Sequence, residues 1–140
     1  MGSDIHSYVE SRQDSGVWTR VPWPRQDVVV ADEGPFETRE YDVFGFLAGV
    51  RGIPALAAPR GLPADVSAEV AEESAGWGAD GHTHSWLSVA ELLAVDYDAP
   101  VPGRAATYRE LLGPSYFRDL EVLSRIGADR PARVLFWFDN

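Results

Sequence analysis

The chain has 140 residues, with 12 basic against 22 acidic side chains, a formal charge of −10 and no cysteine. That length suits one domain with its own core, and the missing thiols exclude disulfides and thiolate-ligated zinc or iron–sulfur centres. The negative balance argues against a nucleic-acid partner, because such affinity comes from neutralised phosphates. No apolar stretch reaches the ~18 residues of a membrane span, and the first residues lack the basic-then-apolar pattern of a secretion signal, so no membrane partner and a cytoplasmic location are expected.

Taken in chain order, residues 4–11 (DIHSYVES) and 16–22 (GVWTRVP) read as two strands joined by a polar turn, an opening hairpin. Alternation puts Asp4, His6, Tyr8 and Glu10 on one face of the first strand. The Val28-Val29-Val30 run, hemmed in by prolines, reads as a brief strand or an extended loop. Apolar spacing at Tyr41, Phe44 and Leu47 predicts a buried helix over 41–50, weakened at its end by Gly49. Residues 51–63 carry prolines and glycines and read as a long irregular loop.

An acidic helix is predicted over 65–77 with Ser67 as its cap, and Ser88 with Glu91 forms a capping box that starts another helix. Two consecutive helices follow at 107–112 and 115–127, the second closed by Gly127. The segment 132–139 (ARVLFWFD) is apolar on both faces and so predicts a central strand. Together these elements predict a single α+β domain over 1–140, with a mainly antiparallel sheet built from the first hairpin and the C-terminal strand, and several short helices.

The three histidines all follow an aspartate at short range: Asp4 and His6 in DIH, Asp80, His82 and His84 in DGHTH. Residues i and i+2 of a strand share a face about 7 Å apart, so both motifs could chelate one ion if extended. Asp4, His6, His82 and His84 are therefore the candidate ligands of a divalent metal, zinc first and manganese or iron as alternatives. Asp139, on the strand face of Leu135 and Trp137, is an additional ligand candidate. The competing readings are a metal-free histidine pocket and plain structural roles, with DGHTHS a polar loop ahead of a helix.

Two resemblances bear on these residues. DIH near the start of a strand and the later GHTH resemble the first and last signatures of calcineurin-like metallophosphoesterases, which implies a pair of bound metal ions. The likeness covers about seven residues, and the internal GD and GNH motifs of that family are absent. Over most of its length, through MGSDIHSYVE, YDVFGFLAGVR, PRGLP, HTHSWLSVAELL and FWFDN, the chain resembles a group of small actinobacterial and phage proteins that begin MGCDIH. Ser3 stands here at the cysteine of that group, and the group brings no activity with it.

The chemistry expected from this set is metal-assisted hydrolysis, in which the ion lowers the pKa of a bound water. His82 and His84 are the candidate catalytic residues, with Asp80 orienting one of them. Arg51 and Arg60, flanking the proline-rich loop, are candidates to hold a phosphate or carboxylate of a small anionic substrate, with Trp86 stacking on it. The alternative is a non-catalytic module that binds or sequesters a nucleotide or metabolite, using Trp23, Trp77 or Trp86 beside the loops. A protein-interaction role for the acidic surface is a third class; oligomeric state is left open.

Overall fold

The first strand, β1 (Asp4–Arg12), alternates as its sequence requires: Ile5, Ser7 and Val9 point one way, His6, Tyr8 and Glu10 the other. The computed structural model describes residues 2–24 and 34–140, so the Val28-Val29-Val30 reading lies outside the described residues. β1 turns back into β2 (Trp18–Val21), giving the expected hairpin. On its other side β1 pairs antiparallel with β4 (Ala132–Asp139), in the register Ile5 to Phe138, His6 to Trp137, Tyr8 to Leu135 and Glu10 to Arg133. β3 (His82–Ser88) completes a four-stranded antiparallel sheet of order β2-β1-β4-β3. The sheet and its helices form the expected small α+β domain, with the C-terminal strand at its centre.

The helices start where their caps are. α1 (Tyr41–Ala48) ends at Gly49, whose left-handed φ of 74° a side chain would resist. α2 (Ala68–Trp77) is capped by Ser67, which accepts from the Val70 N–H. α3 (Val89–Ala94) opens with the complete Ser88–Glu91 capping box. α4 (Tyr108–Ile126) is broken at Gly113 (φ 80°, ψ 170°) before Pro114, which accounts for the two consecutive helices read from the sequence. Gly127 does receive the end of that helix, through N–H bonds to Leu123 and Arg125, but in a right-handed conformation rather than the left-handed one usual for a glycine cap. Among the described residues no helix is long and apolar enough to cross a membrane.

The two sheet faces are covered unequally. Helices α1, α3 and α4 lay Phe44, Phe46, Leu92 and Leu123 against Ile5, Val9, Val134, Phe136 and Phe138, and this is the main core. The opposite face carries a smaller cluster of Tyr8, Leu135 and Trp137, closed by Val70 and Trp77 of α2 and by Leu62, Val66 and Trp86. All three described histidines lie at the end of the sheet where β1 starts and β4 stops.

Candidate functional site

Directly opposed residues of an antiparallel pair share a face. His6 opposes Trp137, which places its imidazole on the α2-covered side. His82 opposes Phe138 and therefore lies on the side of the main core. The register then shifts between His82 and Ser85, because Thr83 takes a left-handed φ of 56° and forms a bulge. His84 consequently stacks on Trp137, ring centroids 5.6 Å apart, on the same face as His6. The simple i, i+2 alternation expected for HTH does not hold. One extra residue turns the two histidines to opposite sides.

The expected metal ligands Asp4, His6, His82 and His84 are thus divided between the two faces of the sheet. His82 bonds to the Thr83 hydroxyl at 2.8 Å and to the Asn140 side chain at 3.3 Å, and the same Asn140 oxygen accepts from Ser3. Asp4 is held by Arg39 through two nitrogens at 3.0–3.1 Å. His6 Nε2 bonds to Asp139. Asp4 and Asp139 oppose one another across the strands, and each carboxylate has its own partner, Arg39 for the first and the His6 ring for the second. Among the described residues no group of three or more His, Asp or Glu side chains is placed to hold a metal ion.

The other expected site residues are also distributed differently. Asp80 is exposed in the short 3₁₀ turn before β3, while the His82 ring nitrogens go to Thr83 and Asn140, so Asp80 orients neither. Arg60 makes a two-point pair with Glu91 at 2.8 and 2.6 Å, bonds the Trp86 carbonyl at 3.2 Å and lies over the Trp86 ring. It clamps the proline-rich loop onto β3 and α3. That contact draws the Glu91 carboxyl down to about 2, with help from the Ser88 cap. A groove of about 580 Å³ runs beside this clamp, with Leu56 and Tyr108 among its walls. Arg51 lies over the Tyr41 ring. Trp23 is buried in the main core rather than poised at a loop, whereas Trp86 and Trp77 are half-buried on the α2-covered face.

What the structure does bring together is a stack of flat rings. His6 lies on Trp77 at 4.1 Å, His84 on Trp137 at 5.6 Å, and Tyr8 on the far end of Trp137 at 5.3 Å. Gly81 sits at the junction: a Cβ there would meet Trp77 at 3.1 Å, Trp137 at 3.4 Å and His84 at 3.7 Å, so a larger residue would crowd the rings. The Trp137 side chain is fully buried, yet its indole Nε1–H has no hydrogen-bond partner among the described residues. An unpaired buried donor costs about 1–3 kcal/mol, which native folds seldom tolerate without a use. Burial, with the nearby His82, also lowers the pKa of His84, so its ring is neutral at pH 7.

Farther along the same face, the buried Arg133 guanidinium meets Glu10 at 2.7 Å and Asp65 at 2.9 Å and lies 3.9 Å over Trp18. The second Glu10 oxygen accepts from the Ser67 N–H, which ties this ion pair to the start of α2. Sequence reading placed His6 and Asp139 on usable faces but missed Trp137 as a site residue. The signal was present in the strand alternation, since Trp137 and Asp139 share a face and the β1–β4 register sets them beside His6. Comparison with protein families, curated proteins and solved structures finds no match to the chain.

Proposed function

We propose that the protein is a small-molecule-binding module whose site is the ring cluster of His6, Trp77, His84 and Trp137 beneath α2. The observation that carries this reading is the buried Trp137 N–H, unpartnered among the described residues and bordered by imidazoles and by the half-buried Trp77. A ligand acceptor atom would satisfy that donor, and flat rings would give it stacking surfaces. The cover is suited to opening: α2 buries Val70 but leaves Glu69, Glu72, Ala75 and Gly76 exposed. Elements with so little buried apolar area open at low cost.

The metal-dependent hydrolase expected from the histidine motifs has less behind it, because its four ligands are divided between two faces and engaged elsewhere. Thermal unfolding separates the two readings. A low-mass metabolite extract is expected to raise the melting temperature of the parent and not of Trp77→Ala, while added zinc leaves both unchanged. No response to the extract contradicts the binding reading, and a zinc-induced rise lost in His82→Ala favours the metal reading in its place.

A further inference from the structure

We propose that the outward face of α3, with the groove beside it, is a docking surface for a basic segment of a partner protein that presents large apolar side chains. The surface shares no residue with the ring cluster and goes beyond the small-molecule reading.

The composition of α3 is unusual for its place. Its sequence is VAELLA, and the one polar residue, Glu91, is taken by the Ser88 cap and by Arg60. Val89 and Leu92 are buried in the main core, while Ala90, Leu93 and Ala94, spaced i, i+3, i+4, are exposed. A surface helix normally turns a polar stripe to water. α4 does so, with Arg118, Glu121 and Arg125 exposed. The outward stripe of α3 is wholly apolar, and Leu93 on it is 48% exposed.

The stripe runs into the groove of about 580 Å³ through Ala94. Ala57 and Ala94 leave the hollow open because their side chains end at Cβ. Ala57, Val95 and Tyr108, also of the lining, rest on the main core. The remaining wall, Leu56, is held by its N–H to the Phe46 carbonyl, and the loop beyond it is pinned by Arg60 on Glu91. The hollow is therefore preformed, which lowers the ordering cost of binding. Because Leu56, Ala94 and Asp96 are exposed, a free small molecule would keep much of its surface in water, against the roughly 70–90% burial of ligand pockets. A side chain projecting from a partner is covered by that partner, whose surface can also lie on Leu93 and Ala90.

Charge selects the kind of partner. Of the three charged side chains in the lining, Arg60 and Glu91 neutralise each other in their two-point pair. That leaves Asp96, whose carboxylate accepts from the Asp98 N–H and has no ion-pair partner among the described residues. Arg109 is held by Asp98, and Arg104 stands outside the lining, exposed on the turn closed by the Pro100–Thr107 bridge. The uncompensated charge is thus negative, on a chain of net charge −10. A lysine or arginine beside the apolar anchor is attracted, and a second copy of this chain is repelled.

Amide signals of the ¹⁵N-labelled full chain test this with synthetic peptides. The probe acetyl-KLLKALK-amide is expected to move the signals of Leu56, Ala57 and residues 89–96 to saturation. Its acidic twin, acetyl-ELLEALE-amide, should need at least about tenfold more, and acetyl-KSSKASK-amide should leave the signals in place. Asp96→Asn, which keeps the side-chain shape and the acceptor for the Asp98 N–H, should weaken the basic peptide about threefold and leave the acidic one no weaker. Ala94→Lys fills the hollow with a cation at an exposed helical position, and should abolish binding of the basic peptide while the melting temperature stays that of the parent. The proposal is overturned if the basic peptide moves no signal of this face, if the acidic twin binds as tightly, or if Asp96→Asn binds like the parent. A chain that sediments as a dimer, and as a monomer after Ala94→Lys, also overturns it, because a second copy would then hold the face.

Discussion

β4 is buried on both of its faces, and the two faces are buried in opposite ways. On the helix-covered side, Val134, Phe136 and Phe138 meet other apolar side chains of α1 and α4. On the α2-covered side, Arg133 meets carboxylates, Trp137 has an N–H unpaired among the described residues, and Asp139 holds His6. The first arrangement packs apolar side chains on one another and stabilises the fold. The second places polar groups where burial is expensive, and it does so next to a thin cover. Burial by itself thus distinguishes nothing here; what the buried atoms face separates core from site.

The largest effect should come from the apolar side. Phe136→Ala removes a fully buried ring and is expected to cost about 3–5 kcal/mol in denaturant unfolding. A loss below ~1 kcal/mol would mean that this face is not the source of stability. Next, Glu10→Gln leaves Arg133 buried with the more exposed Asp65 as its remaining carboxylate, and should cost about 3 kcal/mol. The double change Glu10→Leu with Arg133→Met should cost less than Glu10→Gln alone, because it removes both charges together. Equal or greater loss in the double variant would show that the ion pair is a net stabiliser, like the apolar core opposite.

A smaller effect tests the bulge. Thr83 is β-branched at φ 56°, a conformation that glycine adopts without steric penalty. Thr83→Gly should therefore raise stability by about 1 kcal/mol, while loosening the aim of His84. A destabilised variant would mean that the hydroxyl contact to His82 outweighs the backbone strain.

The smallest effect is pH-dependent. Burial lowers the folded-state pKa of His84 below its ordinary 6.5, so the unfolded chain takes up that proton more readily than the folded one. Stability from this group is fully present above the unfolded value and is lost as the pH falls through it. Between about pH 7.5 and about 5.5, His84→Gln should lose less stability than the parent in thermal unfolding. An identical pH slope in both chains would place His84 in an environment as wet as the unfolded state.

Most of the fold was legible because its signals are local. The Ser67 cap, the Ser88–Glu91 box, the gap between the helices read at 107–112 and 115–127 and the two-faced apolar strand each rest on signals within a few residues, and each appears where the sequence put it. The site was legible only in part. Placing Asp4, His6, Tyr8 and Glu10 on one face needed only the period of a strand, and that expectation holds. Grouping His82 with His84 needed the same period to continue through Thr83, where a single left-handed residue breaks it. Nothing in a threonine between two histidines announces a bulge. The partners that take Asp4, Arg60 and Asp139 out of the expected site come from residues 35, 31 and 133 positions away, set by tertiary register rather than by motif.

The contrast between the two faces is tested most directly by hydrogen exchange read segment by segment in the free protein. Amides of α2 over 68–77 are expected to exchange at least about tenfold faster than those of β4, reporting a cover that lifts while the sheet and its apolar core stay closed. Protection of α2 as strong as that of β4 would contradict this: the rings beneath it would then be sealed core, and the unpaired indole N–H would be out of reach of any ligand.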